Sequence, residues 1–135
     1  VAPEGRLLQA QVFGYDTHTL WAFVYAVRGA AEEPIYRATL LYLDTAFIMA
    51  FAAFTVFVLW PRRLLGGVLA GLYAATDLME NQRILATFDA ALPTLIHVPE
   101  PGTLSVAGYL TAQKFLVIAV IAGAALHTWV TGRAA

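Results

Sequence analysis

From Ile35 to Trp60 the chain reads IYRATLLYLDTAFIMAFAAFTVFVLW, an apolar run broken by only two charges, Arg37 and Asp44. Crossing a bilayer takes roughly 20 mostly apolar residues, so this run is long enough to span one. A second run, PRRLLGGVLAGLYAATDLMENQRILATF, covers Pro61 to Phe88, and a third, TLSVAGYLTAQKFLVIAVIAGAALHTWV, covers Thr103 to Val130. Pro34 suits the first turn of a helix, where a backbone N–H lacks a partner anyway. Pro61 ends one helix and can begin the next, which predicts a tight turn between antiparallel neighbours. The stretch DAALPTLIHVPEPG, residues 89–102, is broken by three prolines and reads as a loop.

The residues before the first run follow a different pattern. YDTHTLWAFVYAVRG has Asp16 or Thr17 as an N-cap and Gly29 as a stop, with a broad apolar face of Leu20, Trp21, Phe23, Val24 and Val27. A helix over about 17–28 is too short to span. It lies in the headgroup plane, anchored by Trp21 and Tyr25, or against the protein's own loops, or both at once. The chain thus divides into an N-terminal segment, 1–33, and an all-α membrane bundle, 34–135, with spans at about 35–60, 61–88 and 103–130.

Composition strengthens the membrane reading. Of the 135 residues, 60% are hydrophobic and 13% charged, against about 25% charged in a soluble domain. So short a chain could not hide that much apolar surface from water. A net charge of −1 provides no basic field for nucleic acid, and with no cysteine there is neither a disulfide scaffold nor a thiolate metal site. The start, VAPEGRLLQAQ, lacks an initiator Met, which suggests a processed or engineered N-terminus with an upstream segment missing. Arg62 and Arg63 in the tightest loop, with Arg133 on the same side, predict a cytoplasmic (or matrix) face there. The N-terminal segment and the 89–102 loop then face outward across a bacterial inner membrane or an organellar inner membrane. Trp60 and Trp129 mark the inner interface.

The intramembrane charges fall at one depth. Asp44, Glu80 and Lys114 each lie sixteen residues from the expected inner end of their span, at Trp60, Leu64 and Val130. At 1.5 Å per residue that is about 24 Å along each helix. Asp77, Glu80, Asn81 and Ile84 share one helical stripe, continued inward by Tyr73. Charges at this depth usually face the bundle interior and pair. Lys114 is expected between Asp44 and Glu80, with Thr111 beside it, tying the spans together. Arg83 is free either to pair with Glu80 or to snorkel outward. At least one acid is left without a cation, so it holds a proton or a cation of its own.

Smaller signals complete the pattern. Gly67 with Gly71, and Ala119 with Gly123, are small pairs at four-residue spacing, expected at helix contacts within the bundle, with self-association as their lesser use. His127, His97 and His18 are single histidines without a ligand partner. No metal and no cofactor are expected, and room is left for a bound lipid.

Four stretches taken together, FGYD, LYLDTAF, TDLMEN and LTAQKF, resemble a family of small, uncharacterised, mostly bacterial multipass membrane proteins. That family has an L-x-L-D, a D-x-x-E-N and a T-x-x-K-aromatic motif. Here they fall on Asp44, on Asp77, Glu80 and Asn81, and on Thr111, Lys114 and Phe115. The resemblance implies a four-helix membrane bundle, one helix lying upstream of Val1, and supplies no activity.

Three functions fit. The charge cluster is the clasp of an accessory or assembly subunit of a larger membrane complex. Alternatively it is a membrane enzyme or lipid-binding site, with Asp77 and Glu80 as acid and base, Asn81 orienting a lipophilic substrate and Lys114 stabilising developing negative charge. The third is proton or cation movement, for which the inner half offers only His127 as a continuation. The first is favoured by small size and by the lack of a catalytic motif. The expected partners are the bilayer and other membrane subunits.

Overall fold

The computed structural model describes residue 8, residues 11–90 and residues 104–132. They are helical nearly throughout. Helix α1 is Thr17–Val27, α2 is Glu33–Val58, α3 is Arg63–Ala90 and α4 is Val106–Gly132. The 89–102 loop beyond Ala90, with His97, and Arg133 at the other end lie outside the described residues.

The local signals account for the boundaries. The Asp16 side chain caps α1 by accepting from the Thr19 amide at 2.7 Å, and Gly29 follows with φ +75°, a conformation few L side chains adopt. Pro34 sits in the first turn of α2. Between Thr39 and Asp44 this helix widens into a π-helical stretch before resuming as an α-helix at Thr45. The extra residue in a π turn re-aims every side chain beyond it. Trp60–Arg62 forms a single 3-10 turn, with Pro61 in its middle, that reverses the chain into α3. Ser105 caps α4, its hydroxyl accepting from the Gly108 amide at 2.8 Å.

Helix α3 is the centre of the bundle, packed on α2 along one side and α4 along the other. Its buried residues are Gly66, Leu69, Ala70, Tyr73, Asp77, Glu80, Asn81, Ile84 and Phe88, a single stripe at three- and four-residue steps. Two apolar clusters lie along this stripe. Near the turn, Leu69 and Tyr73 pack with Ile48, Leu59 and Ile121. Near the far end, Ile84 and Phe88 pack with Leu40, Ala107 and the apolar face of α1. The polar residues Asp77, Glu80 and Asn81 fall between the two clusters.

Two helices, Glu33–Val58 and Val106–Thr131, are long and apolar enough to cross a membrane. Three were expected. Helix α3 has the length, 28 residues, but Asp77, Glu80 and Arg83 interrupt its apolar character within two turns. Helix α1 packs on the helices of the bundle, where loops were expected. Leu20, Phe23, Val24 and Val27 are buried in the far cluster, with the Phe23 ring edge-on to Tyr36 at 5.1 Å and to Phe88 at 6.4 Å. Trp21 and Tyr25 are half-buried beside the same cluster, their rings 5.7 Å apart.

The small-residue pairs are a correction. A methyl group at Gly67, Gly71 or Gly123 would meet nothing within 4 Å, and Ala119 is exposed. These residues face outward, because burial on α3 follows the stripe through Gly66 and Ala70 instead. The close helix contact is made by Gly66, where a Cβ would come 3.1 Å from the Leu59 side chain. Trp60, Arg62, Arg63 and Trp129 are all exposed near the turn end, and Arg62 Nη2 lies 3.2 Å from His127 Nδ1.

Candidate functional site

The polar layer is built mainly by α3 and α4. Asp77 and Glu80 are three residues apart on α3, so both carboxylates project toward the same neighbour. That neighbour is Lys114 on α4, whose Nζ lies 2.8 Å from Asp77 Oδ1 and 2.8 Å from Glu80 Oε2. One turn earlier on α4, the Thr111 hydroxyl donates to Glu80 Oε1 at 2.5 Å. It also lies 3.1 Å from the Ala107 carbonyl. A hydroxyl has one proton, and the carboxylate is the stronger acceptor for it.

Helix α2 joins at one point. Asn81 Nδ2 donates to Asp44 Oδ2 at 2.6 Å. The structure therefore brings together all six expected cluster residues, Asp44, Asp77, Glu80, Asn81, Thr111 and Lys114, but with different pairing. Lys114 sits between Asp77 and Glu80, both on α3, and Asp44 takes an amide instead of the ammonium. Asp44 closes the π-helical stretch of α2, so its direction is not the one that regular α-helical counting assigns. Arg83 does not pair with Glu80. It is exposed on the outside of α3, and both Glu80 oxygens already meet partners on α4.

Burial is close to complete for five of the six, and Asp44 is half-buried. Glu80 is 0% exposed, Asp77 2%, Asn81 4%, Thr111 0% and Lys114 7%. Cavities of about 510, 320 and 240 Å³ lie on outer faces of the bundle, and none of the three is lined by a carboxylate of this layer. Among the described residues no group of three or more histidines or acids is placed to hold a metal ion.

Three tyrosines border the layer. Tyr73 places its hydroxyl within reach of Asp77. Tyr36, on α2, has a buried hydroxyl near Glu80 and Asp44, and Tyr15 has one near Glu80 and Thr111; among the described residues neither hydroxyl makes a hydrogen bond of ordinary geometry. Tyr15 comes from the segment ahead of α1, held across the start of α4. Its carbonyl accepts from the Ser105 amide at 3.1 Å and from the Ser105 hydroxyl at 3.0 Å. The two backbones touch there. A Cβ on Gly108 would stand 2.0 Å from the Tyr15 oxygen, and one on Gly14, itself at φ +81°, would stand 2.2 Å from the Gly108 oxygen. Burial pushes the Tyr15 hydroxyl well above its ordinary pKa of 10.0, and the nearby Glu80 charge adds to this.

Sequence reasoning did not place Tyr15 or Tyr36 at the cluster. FGYD supplies a signal for Tyr15, a glycine directly before an aromatic, but nothing in it says where the ring inserts. For Tyr36 there is no local signal. Compared with family models, curated proteins and solved structures, the chain matches none.

Proposed function

We propose that this chain is a small integral membrane protein of three spans whose buried polar layer is a structural clasp. On this reading it serves as a non-catalytic accessory or assembly subunit of a larger membrane complex. The observation that carries the reading is the enclosure of the layer. Glu80 and Asp77 are 0% and 2% exposed, and both Glu80 oxygens and Asp77 Oδ1 lie against Lys114 or Thr111. An acid–base pair needs access to a substrate. Here the neighbours of each carboxylate are donors from the bundle itself.

The outer surface supports membrane insertion. Leu41, Tyr42, Leu43, Phe47, Met49, Phe54 and Phe57 are all exposed on α2. Exposed apolar surface this extensive marks a membrane or protein contact. Helix α2 is about 39 Å long at 1.5 Å per residue, enough for a hydrocarbon core of about 30 Å. Helix α3 becomes tolerable as a third span because its acids face inward and are paired. Trp60 and Trp129 at the turn end, with Arg62 and Arg63, favour that end as the cytoplasmic or matrix side. The motifs on Asp44, on Asp77, Glu80 and Asn81, and on Thr111 and Lys114 are the layer itself, so the family resemblance is consistent with a shared clasp.

Purification from native membranes in mild detergent tests this. The chain should migrate well above its 14.6 kDa and carry other membrane proteins in fixed ratio. Isolation of the chain alone, without a stoichiometric partner, would remove the accessory-subunit reading.

A further inference from the structure

Arg83 is left out of the polar layer. It lies three residues beyond Glu80 on α3 and is exposed. Of the acids on the same helix, Asp77 and Glu80 hold Lys114, while Asp89, with Glu33 of α2, holds Arg37. Among the described residues no acid pairs with Arg83. At headgroup level such an exposed guanidinium is hydrated or meets an anion, and no acid among the described residues supplies one.

We infer that Arg83 anchors a binding site for the anionic headgroup of a membrane phospholipid; the inference rests on the membrane reading above. Arg83 lines two adjoining cavities. The larger, about 320 Å³, lies between α1, α3 and the start of α4, with Thr17, Trp21, Thr87 and Val106 among its walls. The smaller, about 240 Å³, continues along α3 past Ala86 to Gln82 and Met79. Arg83 and Ala86 belong to both. The smaller cavity is the more polar part, with Gln82 beside the guanidinium, and the larger is walled mostly by apolar groups, among them Leu20, Trp21, Val106 and Ala107; Arg83 stands where the two meet. That two-part form matches a phosphate ester attached to an acyl chain better than it matches a free anion.

The chemistry of the polar end agrees. A guanidinium presents a planar fork that meets two phosphate oxygens at once, and it is weakly hydrated enough to do so at an interface. Val106 and Ala107, in the first turn of the 27-residue helix α4, line the larger cavity that Arg83 shares and bring that helix's positive end toward it. Trp21 sits in the wall, where an indole is at home at headgroup depth.

Lipid quenching of tryptophan tests the site, using the full chain reconstituted in phosphatidylcholine vesicles. In the intact chain, dibrominated phosphatidylcholine should quench Trp60 and Trp129. No quenching at all would overturn both the membrane reading and this one. A Trp60→Phe, Trp129→Phe variant then leaves Trp21 as the reporter. At equal mole fraction, dibrominated phosphatidylglycerol should quench Trp21 as though enriched about fivefold over dibrominated phosphatidylcholine, the factor one arginine contributes near an anionic surface. Arg83→Gln should bring the two lipids level, and inorganic phosphate should leave the excess unchanged. Equal quenching by the two lipids before that substitution overturns the site while leaving the membrane reading in place. Loss of the excess on adding phosphate reassigns the site to a free anion and also overturns the inference.

Discussion

Lys114→Met should be the most damaging single substitution in the polar layer. Lys114 is its only cation among the described residues, and it lies 2.8 Å from both Asp77 and Glu80. Methionine keeps most of the stem volume, so the change removes charge more than packing. Two carboxylates, 2% and 0% exposed, are then left side by side. Breaking a buried ion pair from one side costs about 3–5 kcal/mol, several times the roughly 1 kcal/mol of an interhelical hydrogen bond in a membrane protein. The charge effect therefore dominates. Glu80→Gln should cost only about 1 kcal/mol, because Asp77 still pairs with Lys114 and the amide oxygen still accepts from Thr111. The Glu80→Gln, Lys114→Met double variant leaves Asp77 orphaned and should recover only part of the loss. The triple variant with Asp77→Asn has no buried charge in this triad and should recover most of it. Unfolding in mixed micelles by denaturing detergent, followed by tryptophan fluorescence, measures all four. A Lys114→Met protein within about 0.5 kcal/mol of wild type would refute the clasp. So would a triple variant as unstable as the sum of its parts.

Two further outcomes follow from the same packing. Gly108→Ala should release the segment around Tyr15, since the new methyl group would overlap the Tyr15 backbone; limited proteolysis between Gln11 and Tyr15 should speed up, whereas Gly67→Ala and Gly71→Ala, which face open space, should leave it unchanged and cost no stability. For Tyr15→Phe the expectation is a pH dependence. The folded-state pKa of Tyr15 lies above its unfolded value of 10.0, so its contribution is fully present below pH 10 and is lost as pH rises. By pH 11 wild type should have lost on the order of 1 kcal/mol relative to Tyr15→Phe, and an unchanged difference in stability between pH 8 and pH 11 would contradict the burial of this hydroxyl.

What could be read along the chain was whatever depends on neighbours a few residues apart. The helices at Thr17–Val27, Glu33–Val58, Arg63–Ala90 and Val106–Gly132 follow from apolar runs, caps and prolines. The stripe of Asp77, Glu80, Asn81 and Ile84 follows from the pitch of a single helix. That Lys114 meets acids on another helix follows from the cost of leaving any of them in an apolar medium.

Which acid it meets was not legible. The π-helical stretch at Thr39–Asp44 shifts the angular position of Asp44, and one extra residue in a turn leaves no trace in apolar periodicity. The outward face of Gly67 and Gly71 was equally hidden, because a small residue at four-residue spacing looks the same toward a neighbour or away from one. Tyr15 is the plainest case. It reaches Glu80, 65 residues further on, only because Gly14 and Gly108 let two backbones touch. Short-range pattern determined the helices and the inward stripe. Rotation about each helix axis and contact between distant backbones decided the pairing, since both are set by packing across the bundle and not by any one segment.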